Sequence, residues 1–125
     1  MNATLQAMRG YTEHAVSTKN GRRAEYEIIA RVTQGLRDTA IKAKSDFPSY
    51  AHALHDNQRL WTALVVDVVD KENPLPEDLK ARIIYLAEFT RHHTKKVLRK
   101  KASVLPLLEI NMAVLRGLKV EGPSK

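Results

Sequence analysis

The sequence predicts an all-α protein, a single-domain bundle of about five helices. Five glycines and five prolines divide the chain into segments. Almost every segment repeats its apolar residues every three or four positions, as one face of a helix does. A length of 125 residues is typical of one domain with a single core. We therefore expect one helical domain over residues 1–119 and a frayed tail at residues 120–125.

The first two predicted helices are separated by a run of turn-forming residues at positions 17–21. The first helix is predicted over residues 3–16, and a long second helix is predicted to begin near residue 22. Apolar and small residues of the second helix share one face. These residues are Tyr26, Ile29, Thr33, Leu36, Ala40 and Ala43.

The third predicted helix covers residues 49–70 and follows a capping sequence, in which Asp46 or Ser49 can accept from unpaired backbone amides. Trp61 lies on its apolar stripe and is expected to be the largest contributor to the core. The valine-rich run at residues 64–69 could instead form a strand, because branched residues favour strands. It continues the helical pattern without a break, so we predict helix there.

The fourth predicted helix follows two prolines, and Pro76 is placed to open it. Glu77 and Asp78 suit its positive N-terminal end. A heptad-like spacing predicts that the helix packs along another long helix. The residues at this spacing are Leu79, Ile83, Leu86, Thr90, His93 and Val97. Tyr85 and Phe89 also occupy apolar helical positions and are interpreted as core residues.

The fifth predicted helix, residues 104–118, carries apolar residues on two stripes and ends near Gly117, which is interpreted as a left-handed cap. One stripe consists of Leu107, Ile110 and Val114, and the other of Leu108, Met112 and Leu115. A helix needs only one stripe to pack on its own core. The second stripe is therefore predicted to meet a partner.

A net charge of +7 favours nucleic acids, anionic membranes and acidic proteins as partners. The excess is concentrated late in the chain, at Lys95, Lys96, Arg99, Lys100 and Lys101. The simplest interpretation is a solvated helix end, since cations are favourable at a helix C-terminus. Phosphate binding is the alternative for this stretch.

No motif for catalysis or for a metal was found. The chain has no cysteine, which excludes disulfides, thiolate zinc sites and a thiol nucleophile. His52 and His55 could face the same way on a helix, but they lack a third ligand. A phosphate-binding glycine loop and a nucleophile elbow are also missing. We predict a protein that is not an enzyme and has no metal or cofactor.

The expected location is the cytoplasm. The N-terminal stretch lacks the apolar run of a signal peptide. The longest strongly apolar run, residues 63–69, is far shorter than the roughly 20 residues that span a bilayer. No membrane insertion is therefore predicted.

Four stretches of the chain carry a resemblance to a known family. They read RAEYE at residues 23–27, ALHDNQRLW at 53–61, NPLPEDL at 73–79 and LLEINM at 107–112. In this order and spacing the chain resembles the alphaproteobacterial flagellar biosynthesis regulator FlaF family. The matching motif positions, interpreted as structural, are Asn57, Trp61, Asn73, Leu75, Pro76 and Gly117.

The resemblance implies a non-enzymatic cytoplasmic protein that is needed for flagellin production and acts after transcription. Flagellin is the implied partner, and other flagellar regulators are further candidates. We hypothesise that a groove of the bundle holds an apolar helix of unassembled flagellin, as a secretion chaperone would. The candidate contact residues are Leu108, Asn111, Met112 and Leu115. A core role is the alternative for the three apolar residues, and a buried Asn111 would fix helix register. The alternative is a basic RNA-binding regulator of the flagellin message.

Overall fold

A computed structural model describes residues 19–120 of the chain. This part folds into four helices and contains no strand, which confirms the all-α class. The helices are α1 (Lys19–Ile41), α2 (Phe47–Val68), α3 (Glu77–Leu98) and α4 (Leu105–Val120). The predicted first helix, residues 3–16, lies outside the described residues, and so does the predicted tail beyond residue 120. Four helices therefore stand where about five were predicted for the whole chain.

The four helices pack as a ring of neighbours. Helix α1 contacts α2 and α4, α2 also contacts α3, and α3 contacts α4 only lightly. The connections at residues 42–46, 69–76 and 99–104 are short. Short connections make consecutive helices antiparallel neighbours, as in an up-and-down bundle. The side of the bundle where α3 faces α4 is the least closely packed.

The core contains two apolar clusters along the bundle. One surrounds Trp61, which is 1% exposed and is the largest of the fully buried side chains. The other lies towards the end formed by the connections at 42–46 and 99–104, and it includes Leu36, Leu54 and Leu107. The predicted core role of Trp61 is thereby confirmed.

The start of α2 shows why the chain turns where it does. The Asp46 carboxylate accepts from the Ser49 amide at 3.3 Å and from the Ser49 hydroxyl at 2.7 Å. These two bonds hold the pKa of Asp46 below its ordinary value of 3.8, and the bond from the hydroxyl has the larger effect. The helix then runs to Val68, so the valine-rich stretch is helical up to that residue, as predicted. Pro76 is the N-cap of α3, with Glu77 and Asp78 in the first turn, also as predicted.

Two predicted helix boundaries are wrong. Helix α1 begins at Lys19, so the second half of the predicted turn at 17–21 is helical. Gly117 lies inside α4, and no glycine of the described part has a positive φ. One glycine costs a helix only about 1 kcal/mol, which packing of the neighbouring turns can offset. Glycine alone therefore marked neither the start of α1 nor the end of α4.

The predicted core role of Tyr85 and Phe89 is also wrong. Tyr85 is 69% exposed and Phe89 is 36% exposed. Only Thr90, Thr94 and Val97 of α3 are buried. The heptad-like spacing predicted packing along another long helix, and α3 does pack mainly on α2, where it buries one narrow face that leaves Tyr85 and Phe89 outside. Leu79, at the start of that spacing, is exposed as well.

Candidate functional site

A network of polar side chains crosses the interior and joins three helices. The Trp61 indole donates from Nε1 to Asn111 Oδ1 at 2.9 Å. Asn111 Nδ2 donates to Asn57 Oδ1 at 2.7 Å and to Thr33 Oγ1 at 3.1 Å. The Thr33 hydroxyl in turn donates to the Ile29 carbonyl at 2.7 Å. The Asn111 amide thus uses both donors and its acceptor to hold α4 against α1 and α2.

Two further buried polar atoms lie on α2 and α3. Asn57 Nδ2 and Thr90 Oγ1 are both buried without a hydrogen-bond partner. Each residue is 0% exposed. With Thr33 and Asn111, these residues place at least one buried polar side chain on each of the four helices. Burying polar groups is costly unless they are paired. The helices must therefore align so that these side chains meet, in addition to packing their apolar side chains together.

The four predicted contact residues on α4 fall into two groups. Asn111 is 1% exposed and Leu115 is 7% exposed, so both belong to the interior. Leu108 and Met112 are half-buried and lie on a flank of α4. The Arg37 guanidinium on α1 donates to the Met112 sulfur at 3.7 Å, which places this flank at the seam between α1 and α4. We call Leu108, Met112 and Arg37 the seam surface.

The seam surface has properties that suit a partner helix. The methionine side chain is flexible and polarisable, so it adapts to different apolar shapes. Arg37 is exposed and supplies a cation at the rim. Asn111 and Leu115 lie behind this surface in the core and fix the position of α4.

The connection between α2 and α3 contains three of the family motif positions. Asn73 is buried and donates from Nδ2 to the Asp67 carbonyl at 3.2 Å and to Asp67 Oδ2 at 2.9 Å. Asn73 Oδ1 accepts from the Leu75 amide at 3.0 Å. Pro76 follows as the N-cap of α3. This motif therefore builds the turn, as its structural interpretation predicted, whereas Gly117 is an exposed position inside α4.

The basic stretch forms the end of α3 and the connection after it. Lys95 and Lys96 lie in the last turn, and all five of its cations are exposed. Lys100 has a φ of 62°, the left-handed conformation that usually favours glycine. Its amide bonds the Val97 carbonyl at 2.9 Å, and the Lys101 amide bonds the Lys96 carbonyl at 2.9 Å. These bonds close the helix with a Schellman motif.

Several of these residues were missed or misplaced from the sequence. Thr33 was recognised only as a small residue on a helical face, and Arg37 was not singled out. Thr90 was interpreted as an apolar position of α3. A threonine among apolar residues at helical spacing is the signal that could have indicated a buried hydroxyl.

His52 and His55 lie on the surface of α2. His52 Nε2 lies 3.5 Å from Asp56 Oδ2, and both histidines of the predicted pair are exposed. Within residues 19–120 there is no group of three or more His, Cys, Asp or Glu side chains able to hold a metal ion. In the same range no helix is both long and apolar enough to cross a membrane.

Comparison with protein-family models shows which family the chain resembles. The model of the family described as flagellar protein FlaF matches residues 7–118. The matched range includes all four described helices except the last two residues of α4. The comparison with curated proteins gives no match, and neither does the comparison with solved structures.

Proposed function

This chain belongs to the FlaF family of flagellar proteins, and from that premise we propose that it binds flagellin in the cytoplasm and modulates its synthesis or secretion. The match over residues 7–118 is the observation that carries the proposal. The role is that of a binding protein with a chaperone-like action. Other flagellar regulators are further candidate partners.

The seam surface is the proposed contact for flagellin. Unassembled flagellin has apolar helices that would otherwise polymerise, and an amphipathic helix binds well in an apolar groove between two helices. Leu108 and Met112 offer half-buried apolar area beside α1. Arg37 contacts Met112 and can pair with a carboxylate at the edge of the bound helix. Asn111 and Leu115 contribute from the interior by holding the geometry of α4.

Calorimetric titration of the purified protein with unassembled flagellin tests the proposal. A saturable signal with a negative heat-capacity change is expected, because apolar surface is buried on binding. Met112→Asp is expected to weaken binding at least tenfold, since it places a charge in an apolar contact. Ala113→Asp is the matched control, because Ala113 is the next residue, is exposed, and accepts the same change in charge.

A parallel titration with flagellin leader RNA tests the alternative, a basic RNA-binding regulator. Phosphate contacts would make the affinity fall steeply with the logarithm of salt concentration. A helix held by apolar contact should keep most of its affinity in salt. RNA binding without flagellin binding would contradict the proposed function.

A further inference from the structure

The two connections at residues 42–46 and 99–104 lie at the same end of the bundle. Lys100 Nζ of the second connection stands 5.0 Å from the centre of the ring of Phe47, the first residue of α2, which directly follows the first connection. Ala43 and Ala102 pack against the same apolar cluster. We call this part of the molecule the basic end.

Exposed cations from both connections and from the last turn of α3 crowd the basic end. They are Lys42, Lys44, Lys95, Lys96, Arg99, Lys100 and Lys101. The two connections contain one acidic residue, Asp46. Its carboxylate is already bonded to Ser49 as the cap of α2. The basic end therefore presents a concentrated positive charge.

Exposed aliphatic side chains stand among these cations. Ile41 is 77% exposed, Leu105 is 59% exposed and Leu98 is 39% exposed. They belong to the helix ends that meet there. Exposed large apolar side chains within a cluster of cations are the combination that binds a lipid surface, because the cations meet headgroup phosphates while the apolar groups leave water.

Tyr50, Phe47 and His93 at the basic end do not offer a free platform for bases. His93 Nε2 lies 2.7 Å from the Ser103 carbonyl oxygen, and the His93 ring is already stacked on Phe89 with 5.2 Å between the ring centres. Tyr50 is 8% exposed. Phe47 is half-buried and its ring already carries the Lys100 ammonium. Single-stranded nucleic acids gain much of their affinity from stacking on exposed aromatic rings, whereas aliphatic side chains give them little. The apolar component of this end therefore favours lipid over RNA.

We propose that the basic end binds the surface of a membrane rich in anionic phospholipid. The lysines and Arg99 contact the headgroup phosphates, and Ile41, Leu98 and Leu105 reach the boundary with the acyl chains. The bundle stands end-on to the membrane, which leaves its sides, including the seam surface, open to a protein partner. This inference does not depend on flagellin binding.

Vesicle co-sedimentation of the full chain tests this inference. The probes are vesicles of phosphatidylglycerol and phosphatidylcholine in equal amounts, and vesicles of phosphatidylcholine alone. Binding is expected to the mixed vesicles and not to the neutral ones, and it should weaken as salt is raised. Circular dichroism of each variant verifies that it is folded.

Two sets of variants separate the charged and the apolar contributions. The triple variant Lys42→Gln, Lys44→Gln, Lys101→Gln should weaken binding on the order of 100-fold, at about fivefold for each cation near the surface. Its control removes the same charge elsewhere, with Lys71→Gln, Arg82→Gln and Arg116→Gln, all at exposed positions.

The apolar variant is Ile41→Ser with Leu105→Ser, and it should lose the binding that persists at high salt. Its control is Val69→Ser with Tyr85→Ser, which have similar exposure of 59% and 69%. Absence of binding to the mixed vesicles would overturn the proposal. So would equal loss in test and control variants, or tighter binding of single-stranded RNA through the same lysines.

Discussion

At the scale of single residues, Asn111 is the most constrained polar side chain of the described structure. It contacts Trp61, Asn57 and Thr33, which lie on two other helices. Removing its amide would leave the Trp61 indole and the Asn57 carbonyl oxygen without these partners inside the core. Unpaired buried groups cost more than the hydrogen bonds themselves contribute.

Asn111→Leu is therefore expected to lower the free energy of unfolding by about 2–5 kcal/mol, although leucine has a similar volume. Urea denaturation followed by circular dichroism measures the change. Glu109→Leu, at an exposed position of the same helix, serves as control and should change stability little. A loss below about 1 kcal/mol for Asn111→Leu would contradict the role given to the network.

Lys100 carries a backbone conformation that its residue type disfavours. Its φ of 62° is comfortable for glycine and costs other residues about 1–2 kcal/mol. Its ammonium also stands over the Phe47 ring, which offsets part of that cost. Two variants that both lack the ammonium differ only in the backbone cost, because neither can contact the Phe47 ring.

Lys100→Gly is expected to be more stable than Lys100→Ala by about 1 kcal/mol, because both lose the ring contact and only alanine keeps the strained backbone. Thermal unfolding of the two variants side by side measures the difference. Equal stability would mean that residue 100 changes conformation when lysine is removed.

At the scale of the element, the start of α2 depends on a charged cap. The pKa of Asp46 is lowered by bonds from the Ser49 hydroxyl and amide. Because the folded pKa lies below the unfolded value, the cap's contribution to stability is fully present above the unfolded pKa. It is lost as the pH falls through the folded pKa.

Ser49→Ala removes the hydroxyl donor and should raise the pKa of Asp46, as measured by NMR titration of its carboxyl group. The melting temperature should fall relative to wild type at neutral pH, and this difference should shrink once the pH drops below the folded pKa. Ser45→Ala is the control, since the Ser45 hydroxyl donates to the Lys42 carbonyl and not to Asp46. An unchanged Asp46 pKa in Ser49→Ala would show that the amide alone sets it.

At the scale of the whole molecule, α3 is held less firmly in the core than α2. It buries three residues, and two of them are threonines. It packs on α2 and only lightly on α4. By contrast, α2 buries ten residues, including Trp61. Stability is therefore unevenly distributed among the helices.

Native-state hydrogen exchange should show α3 opening at a lower free energy than α2. The amides of Thr90 and Thr94 in α3 can be compared with those of Leu60 and Leu64 in α2. Equal protection in both helices would mean that the bundle opens only as one unit. Tyr85→Ala is a useful control, because removing this exposed side chain should leave the difference between the two helices unchanged.

Much of this organisation could be predicted from the sequence because it depends on short-range signals. Helical periodicity, the Asp46 cap and Pro76 each act within a few residues, and they placed α2 and the start of α3 close to their observed positions. The spacing of the family motifs also pointed to FlaF, which the match over residues 7–118 confirms. The contact with flagellin remains a prediction.

The tertiary structure alone decided which apolar side chains of α3 are buried. Tyr85 and Phe89 were expected in the core and are exposed, because among the described helices α3 packs closely only on α2. The hydrogen bonds that join Asn111 with Thr33 and with Trp61 connect residues 78 and 50 positions apart in the sequence. The basic end likewise joins connections far apart in the chain. Periodicity along one helix carries no information about such partners, since they are chosen by how the helices pack together.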